Sequence, residues 1–133
     1  MANSADQTTA TTIGISWANG ASDGGTVVID YRINFDQGIE VYKVLASNIA
    51  PFSYTATGLQ AGVTYKFKLE SRNAYGYSAL SSELIVVASA KPDAPKNLAN
   101  LSAVTSATQV GLSWAQGSYN GGSPVIDYRV SSD

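Results

Sequence analysis

Two stretches of this 133-residue chain repeat each other without a gap: IGISWANGASDGGTVVIDYRINFD at 13–36 and VGLSWAQGSYNGGSPVIDYRVSSD at 110–133 share 13 identities in 24 positions. The offset is 97 residues, 110 minus 13. A period of this size constrains architecture more than composition does, because each copy must be one folding unit of ordinary domain length. Upstream, at the same offset, Met1 falls opposite Leu98, while Ala2, Asn3, Thr8, Ala10 and Thr11 meet identical residues at Ala99, Asn100, Thr105, Ala107 and Thr108. Only the second copy carries a leader, KPDAPKN. One unit is therefore expected at 1–90 with its first strand clipped, and 91–133 are expected to supply the first three strands of another.

Within each copy the hydrophobic pattern alternates with period two, and helical spacing is nowhere sustained. In VVIDYRINFD the residues Val27, Ile29, Tyr31, Ile33 and Phe35 fall on one face, with Asp30, Arg32 and Asn34 on the other. In VTYKFKLESR the inward set is Val63, Tyr65, Phe67 and Leu69, and Lys66, Lys68, Glu70 and Arg72 are expected in water. Strands with one wet face belong to antiparallel sheets. Further short apolar segments, TTIGISWA, IEVYKVLA, FSYTATGL and ELIVVASA, are separated by turn-rich breaks such as NGASDGG, DQG, SNIAP and LQAG. That rhythm predicts an all-β sandwich. Its stability comes from the core, where each large apolar side chain contributes about 1.5–3 kcal/mol before conformational entropy is set against it.

Composition removes several classes of function. Cysteine and histidine are absent, which leaves no thiolate nucleophile, none of the usual zinc sites and no imidazole for proton transfer. Eight Lys and Arg against ten Asp and Glu give a net charge of −2 with no block of one sign, so no nucleic-acid footprint is read. No apolar run approaches the length of a membrane span, and the opening MANSADQTTA is polar, so neither a span nor a leader peptide is expected in these residues.

The residues resemble a fibronectin type III module. That family places a core Trp on its second strand and a core Tyr on its third, which fall here at Trp17 in ISWA and Tyr31 in VIDYRI, and again at Trp114 and Tyr128. Leu59 stands six residues before Tyr65 in GLQAGVTYKFKL, the pattern of a tyrosine corner, and RNAYGYS and SSELIVV match the last loop and strand. The resemblance implies an immunoglobulin-like antiparallel sandwich of fibronectin type III topology, followed by a partial second module. An immunoglobulin domain proper fits less well, since it expects two Cys and a Trp on the third strand. Trp17, Tyr31, Leu59, Tyr65, Trp114 and Tyr128 are accordingly expected in the core, with the Tyr65 hydroxyl bonded to backbone of the preceding loop.

Candidate sites are few. NAYGYSAL at 73–80 is the best candidate for contact with a partner: the family often binds through this loop, and Asn73, Tyr75 and Tyr77 would supply contact area at low entropy cost. SDGG at 22–25 and YNGG at 119–122 read as turns, because Asp and Asn tolerate left-handed backbone and Gly supplies positive φ. Asn100–Ser102 is a formal glycosylation sequon with no counterpart in the first copy. Asp36 and Glu40 flank a hairpin turn and are expected to be solvated. No nucleophile, base and orienting group fall together, so no catalysis and no cofactor are expected.

The functional expectation is a non-catalytic structural and interaction module from a tandem array in a larger surface, adhesive or filament-forming protein. Two alternatives stand beside it: a specific protein- or glycan-binding domain using 73–80, and an accessory module of a larger secreted enzyme. Expected partners are proteins or neighbouring repeats, with inter-chain pairing through 91–133 as a further route. The resemblance implies extracellular or cell-surface placement, with intracellular cytoskeletal arrays as the alternative.

Overall fold

The computed structural model describes residues 1–133. Ten strands are formed: β1 (Ala2–Ser4), β2 (Ile13–Ser16), β3 (Asp30–Phe35), β4 (Lys43–Ile49), β5 (Ser53–Ala56), β6 (Thr64–Asn73), β7 (Gly76–Tyr77), β8 (Leu84–Val87), β9 (Lys96–Asn100) and β10 (Leu112–Ala115). A short 3-10 turn, Ala5–Gln7, links the first two. All pairings are antiparallel. β1, β2 and β5 form one sheet, and β4, β3, β6, β7 and β8 form the other, with β7 and β8 both on β6.

The two sheets close over one core. Ile13 and Ile15 from β2 and Ala56 from β5 face Tyr31, Ile33, Ile49, Tyr65, Phe67, Leu69 and Val86 from the larger sheet. The period-two alternation of β6 puts Tyr65, Phe67 and Leu69 inside and sends Lys66 and Lys68 to the outer face, as the pleat requires. Ile13, Ile15, Ile33 and Phe67 are fully buried.

Several local expectations change. Val27 and Ile29 lie before β3 and are exposed, at 75% and 55%, because the β3–β6 ladder begins only at the Asp30–Arg72 pair. Ser47–Ile49, expected in a turn, continue β4, since Ile49 still pairs with Tyr31 across a bulged register. Glu70 is buried rather than wet, and Asp36 is 2% exposed rather than solvated. The Asp36 carboxylate accepts the Gly38 amide at 3.0 Å and the Lys66 amide at 2.9 Å. It thereby satisfies backbone donors at the turn that leaves β3, which offsets its desolvation.

The second copy reproduces the local structure of the first and lacks its enclosure. Thr8 donates to Asn3 and to the Ser4 carbonyl and accepts the Gly14 amide; Thr105 does the same with Asn100, Leu101 and Gly111. Trp17 meets Tyr31 edge-on at 5.5 Å, and Trp114 meets Tyr128 edge-on at 5.6 Å. Yet only β9 and β10 pair, and Pro124–Asp133 form no strand. Within residues 1–133 no segments flank it as β4 and β6 flank β3, so the expected third strand joins no ladder. Trp114 and Tyr128, expected in the core, are 37% and 42% exposed for the same reason. The copies are joined by a backbone bond from the Ala90 amide to the Gly121 carbonyl at 2.8 Å, and the leader of the second copy is tied to its own turn by a bond from the Asp93 amide to the Tyr119 carbonyl at 2.9 Å.

Candidate functional site

The loop between β6 and β8 meets the loop between β2 and β3 at one end of the sandwich. Asn73, the last residue of β6, ties them together. Its side-chain amide donates to the Asp23 carbonyl at 2.8 Å, and its side-chain oxygen accepts the Tyr75 amide at 2.9 Å. Asn73 is thus a clamp whose polar atoms are already used. Tyr75, at the loop tip, is 92% exposed and lines a shallow concavity with Ser22, Asp23, Gly24, Val28 and Asn73.

Tyr77 borders the same concavity, but its ring is engaged by the sheet. β7 pairs with the end of β6, which lays the Tyr77 ring over the outer face of the larger sheet, 3.7 Å from the Arg32 guanidinium and 5.6 Å from that of Arg72. Such cation–π contacts contribute about 0.5–1 kcal/mol at exposed sites. Of the three residues singled out in this loop, only Tyr75 is a free aromatic surface.

The outer face carries a closed set of charges. Arg32 grips Glu70 through two hydrogen bonds of 2.7 and 2.8 Å, and Asn34 adds a third at 2.8 Å. Arg72 holds Asp30 through its Nε at 2.9 Å and through its Nη2. Lys66 pairs with Glu40, and Lys68 with Glu83. The hydrogen bond from Arg32, aided by Asn34, holds the Glu70 carboxyl below its ordinary value. Burial and then the hydrogen bond to Glu83 at 2.9 Å push the Tyr42 hydroxyl up to about 12. Alternation shows which residues share this face. It gives no sign that Tyr42, just before β4, and Tyr77, from β7, come to cover it.

The remaining singled-out residues serve the fold. Tyr31 is buried and its hydroxyl donates to Asn19. The Tyr65 hydroxyl accepts the Gln60 amide at 2.9 Å, with Leu59 buried next to it. Trp17 packs against the core with its indole nitrogen buried and unpartnered. Asn100 of the sequon accepts a hydrogen bond from Thr105. No three carboxylates converge as a metal site would require, and no helix is long and apolar enough to cross a membrane.

Comparison with known proteins fits this geometry. Residues 3–87 match the family model described as fibronectin type III domain. A curated relative, the Kelch domain-containing protein SSO1033 of Saccharolobus solfataricus, is 29% identical over 109 residues, which is 82% of this chain and 14% of that protein. The chain thus spans about one seventh of that relative's length. Among solved structures, the twitchin kinase region from C. elegans (Fn31-NL-kin-CRD-Ig26) superposes with a TM-score of 0.55 at 26% identity, over 59% of this chain and 14% of that one. The sixth fibronectin type III domain of human fibronectin type III domain containing protein 3 superposes with a TM-score of 0.57 at 21% identity, over 70% of this chain and 86% of that one.

Proposed function

The chain belongs to the fibronectin type III family, and from that premise we propose that it is a non-catalytic structural and interaction module, one of a series in a larger surface, adhesive or filament-forming protein. One observation carries this reading: a closed sandwich passes directly into the start of a near-copy in a 97-residue register, and the joint is held by the Ala90–Gly121 backbone bond. A spacer needs this, a self-sufficient unit that hands its orientation to the next. The paired charges on the outer face support it too, since they are spent within the module. Pulling single full-length chains from both ends tests the mechanical role. One discrete rupture is expected, lengthening the chain by about 300 Å less the folded span, from residues 3–87 at roughly 3.6 Å each. Smooth extension without a rupture would overturn it.

The exposed ring of Tyr75, on a loop fixed by Asn73, favours a second reading, a specific binding module. Screened against immobilised peptides and glycans, a binder loses its signal on Tyr75→Ala with its unfolding midpoint intact. A chain that gives no signal before substitution, or keeps it afterwards, excludes this use of the loop.

A further inference from the structure

Each copy carries one Asn–Gly pair, at different places in the same loop: Asn19–Gly20 in the first and Asn120–Gly121 in the second. The equivalent positions hold Gln116–Gly117 and Asp23–Gly24. An asparagine followed by glycine is well placed to react with its own backbone. The next amide nitrogen can close a five-membered ring on the side-chain carbonyl carbon, and glycine brings no Cβ to hinder it. Gln116, one methylene longer, would have to close a larger ring, and Asp23 has no amide to lose.

The surroundings of the first pair favour that reaction. Asn19 and Gly20 are exposed, and the Gly20 amide donates to no acceptor, so solvent can remove its proton. The Asn19 Oδ1 accepts the hydroxyl of Tyr31, a residue fixed in the core at 4% exposure. Negative charge gathers on this oxygen as a nucleophile adds to Cγ, and a fixed O–H donor there stabilises the addition. Burial raises the Tyr31 hydroxyl, so it keeps its proton in mildly alkaline solution. A leader does not close the position. In the second copy, where Asp93 and Ala94 pack against Gly117, Gln116 is still exposed and the Gly117 amide still donates to nothing.

The second pair is restrained. Gly121 is buried against the Ala90 carbonyl, its own carbonyl accepts the Ala90 amide at 2.8 Å, and the Asn120 Oδ1 accepts the Gly122 amide at 3.0 Å. Ring closure there has to break this turn first.

We propose that Asn19–Gly20 is a self-modification site of the folded protein, at which the Gly20 nitrogen attacks the Asn19 side chain while the Tyr31 hydroxyl holds its oxygen. The Gly20 amide gives up its proton to solvent and its nitrogen bonds to Asn19 Cγ. The Cγ–Nδ2 bond then breaks, and Nδ2 leaves as ammonia with a proton taken from water. Water opens the resulting cyclic imide. Cleavage of the new bond gives aspartate, and cleavage of the original peptide bond gives isoaspartate, whose main chain runs through Cβ and Cγ. Either product adds one negative charge to the chain's −2, at the concavity that Asn19 lines with Val27, Ile29 and Phe52.

The test incubates the full chain in mildly alkaline buffer, folded or in urea, and follows amide loss by mass spectrometry. Trypsin separates the two pairs into peptides 1–32 and 97–129, and fragmentation places the loss within each. In urea the pairs should react at similar rates. On folding, Asn120 should slow about tenfold or more, because its turn must first open, while Asn19 keeps its urea rate or exceeds it. Tyr31→Phe should slow Asn19 in the folded chain about fivefold, the rate equivalent of one net hydrogen bond, and leave its urea rate unchanged. Folding that protects Asn19 as much as Asn120, or a folded Tyr31→Phe chain that reacts at the parent's rate, would overturn the assignment.

Discussion

Single polar atoms decide much of this molecule. The Tyr65 hydroxyl takes one backbone amide, that of Gln60, while its ring sits in the core at 5% exposure. Tyr65→Phe keeps the packing and orphans that amide, so a loss of about 1 kcal/mol is expected in urea unfolding. Asp36 takes two amides from a more buried position. Asp36→Ala should therefore cost more, about 2–3 kcal/mol. The corner was legible from the spacing of Leu59 and Tyr65. The role of Asp36 was not, because its partner amide at Lys66 lies thirty residues away and an acid beside a turn ordinarily faces water.

Among the strands, the β3–β6 ladder converts alternation into a pH-dependent bond. Arg32 lowers the Glu70 carboxyl from its ordinary 4.5. A depressed acid contributes stability that is complete above its unfolded value and is lost as pH falls through its folded one. Glu70→Gln should thus lower stability by about 1–3 kcal/mol at neutral pH, and the gap from the parent should narrow as urea midpoints are followed below pH 4.5. Tyr42 acts at the opposite end of the scale. Its hydroxyl is raised to about 12, so its contribution is complete below 10 and lost as pH climbs from there towards 12. Burial raises the Tyr31 hydroxyl as well, so ultraviolet titration should show a late tyrosine fraction that shrinks by one residue in Tyr42→Phe.

Across the whole molecule, the two copies separate local from tertiary requirements. Trp17 and Trp114 hold equivalent places and make equivalent contacts with a Tyr. Only Trp17 packs against a closed core. Trp17→Ala should destabilise the first module by about 3 kcal/mol or more, whereas Trp114→Ala should leave its unfolding midpoint within about 0.5 kcal/mol. Equal losses would mean that the second copy shares the cooperative unit of the first.

The 97-residue register, the alternating strands, the turn glycines and the Trp–Tyr pairs could all be read from the chain itself, because each depends on residues close in sequence or on identity between copies. Other features were settled only by distant partners. Glu70 and Asp36 became buried because Arg32 and the Lys66 amide arrived to bond them, and Tyr77 turned from a loop contact into a cover for two arginines. VIDYR became a strand at 28–32 only from Asp30 onward, where β6 begins to pair with it, and no strand at all at 125–129, beside which residues 1–133 place no such neighbour. A strand is a relation between segments, so an identical phrase can have one structure beside its partners and another without them.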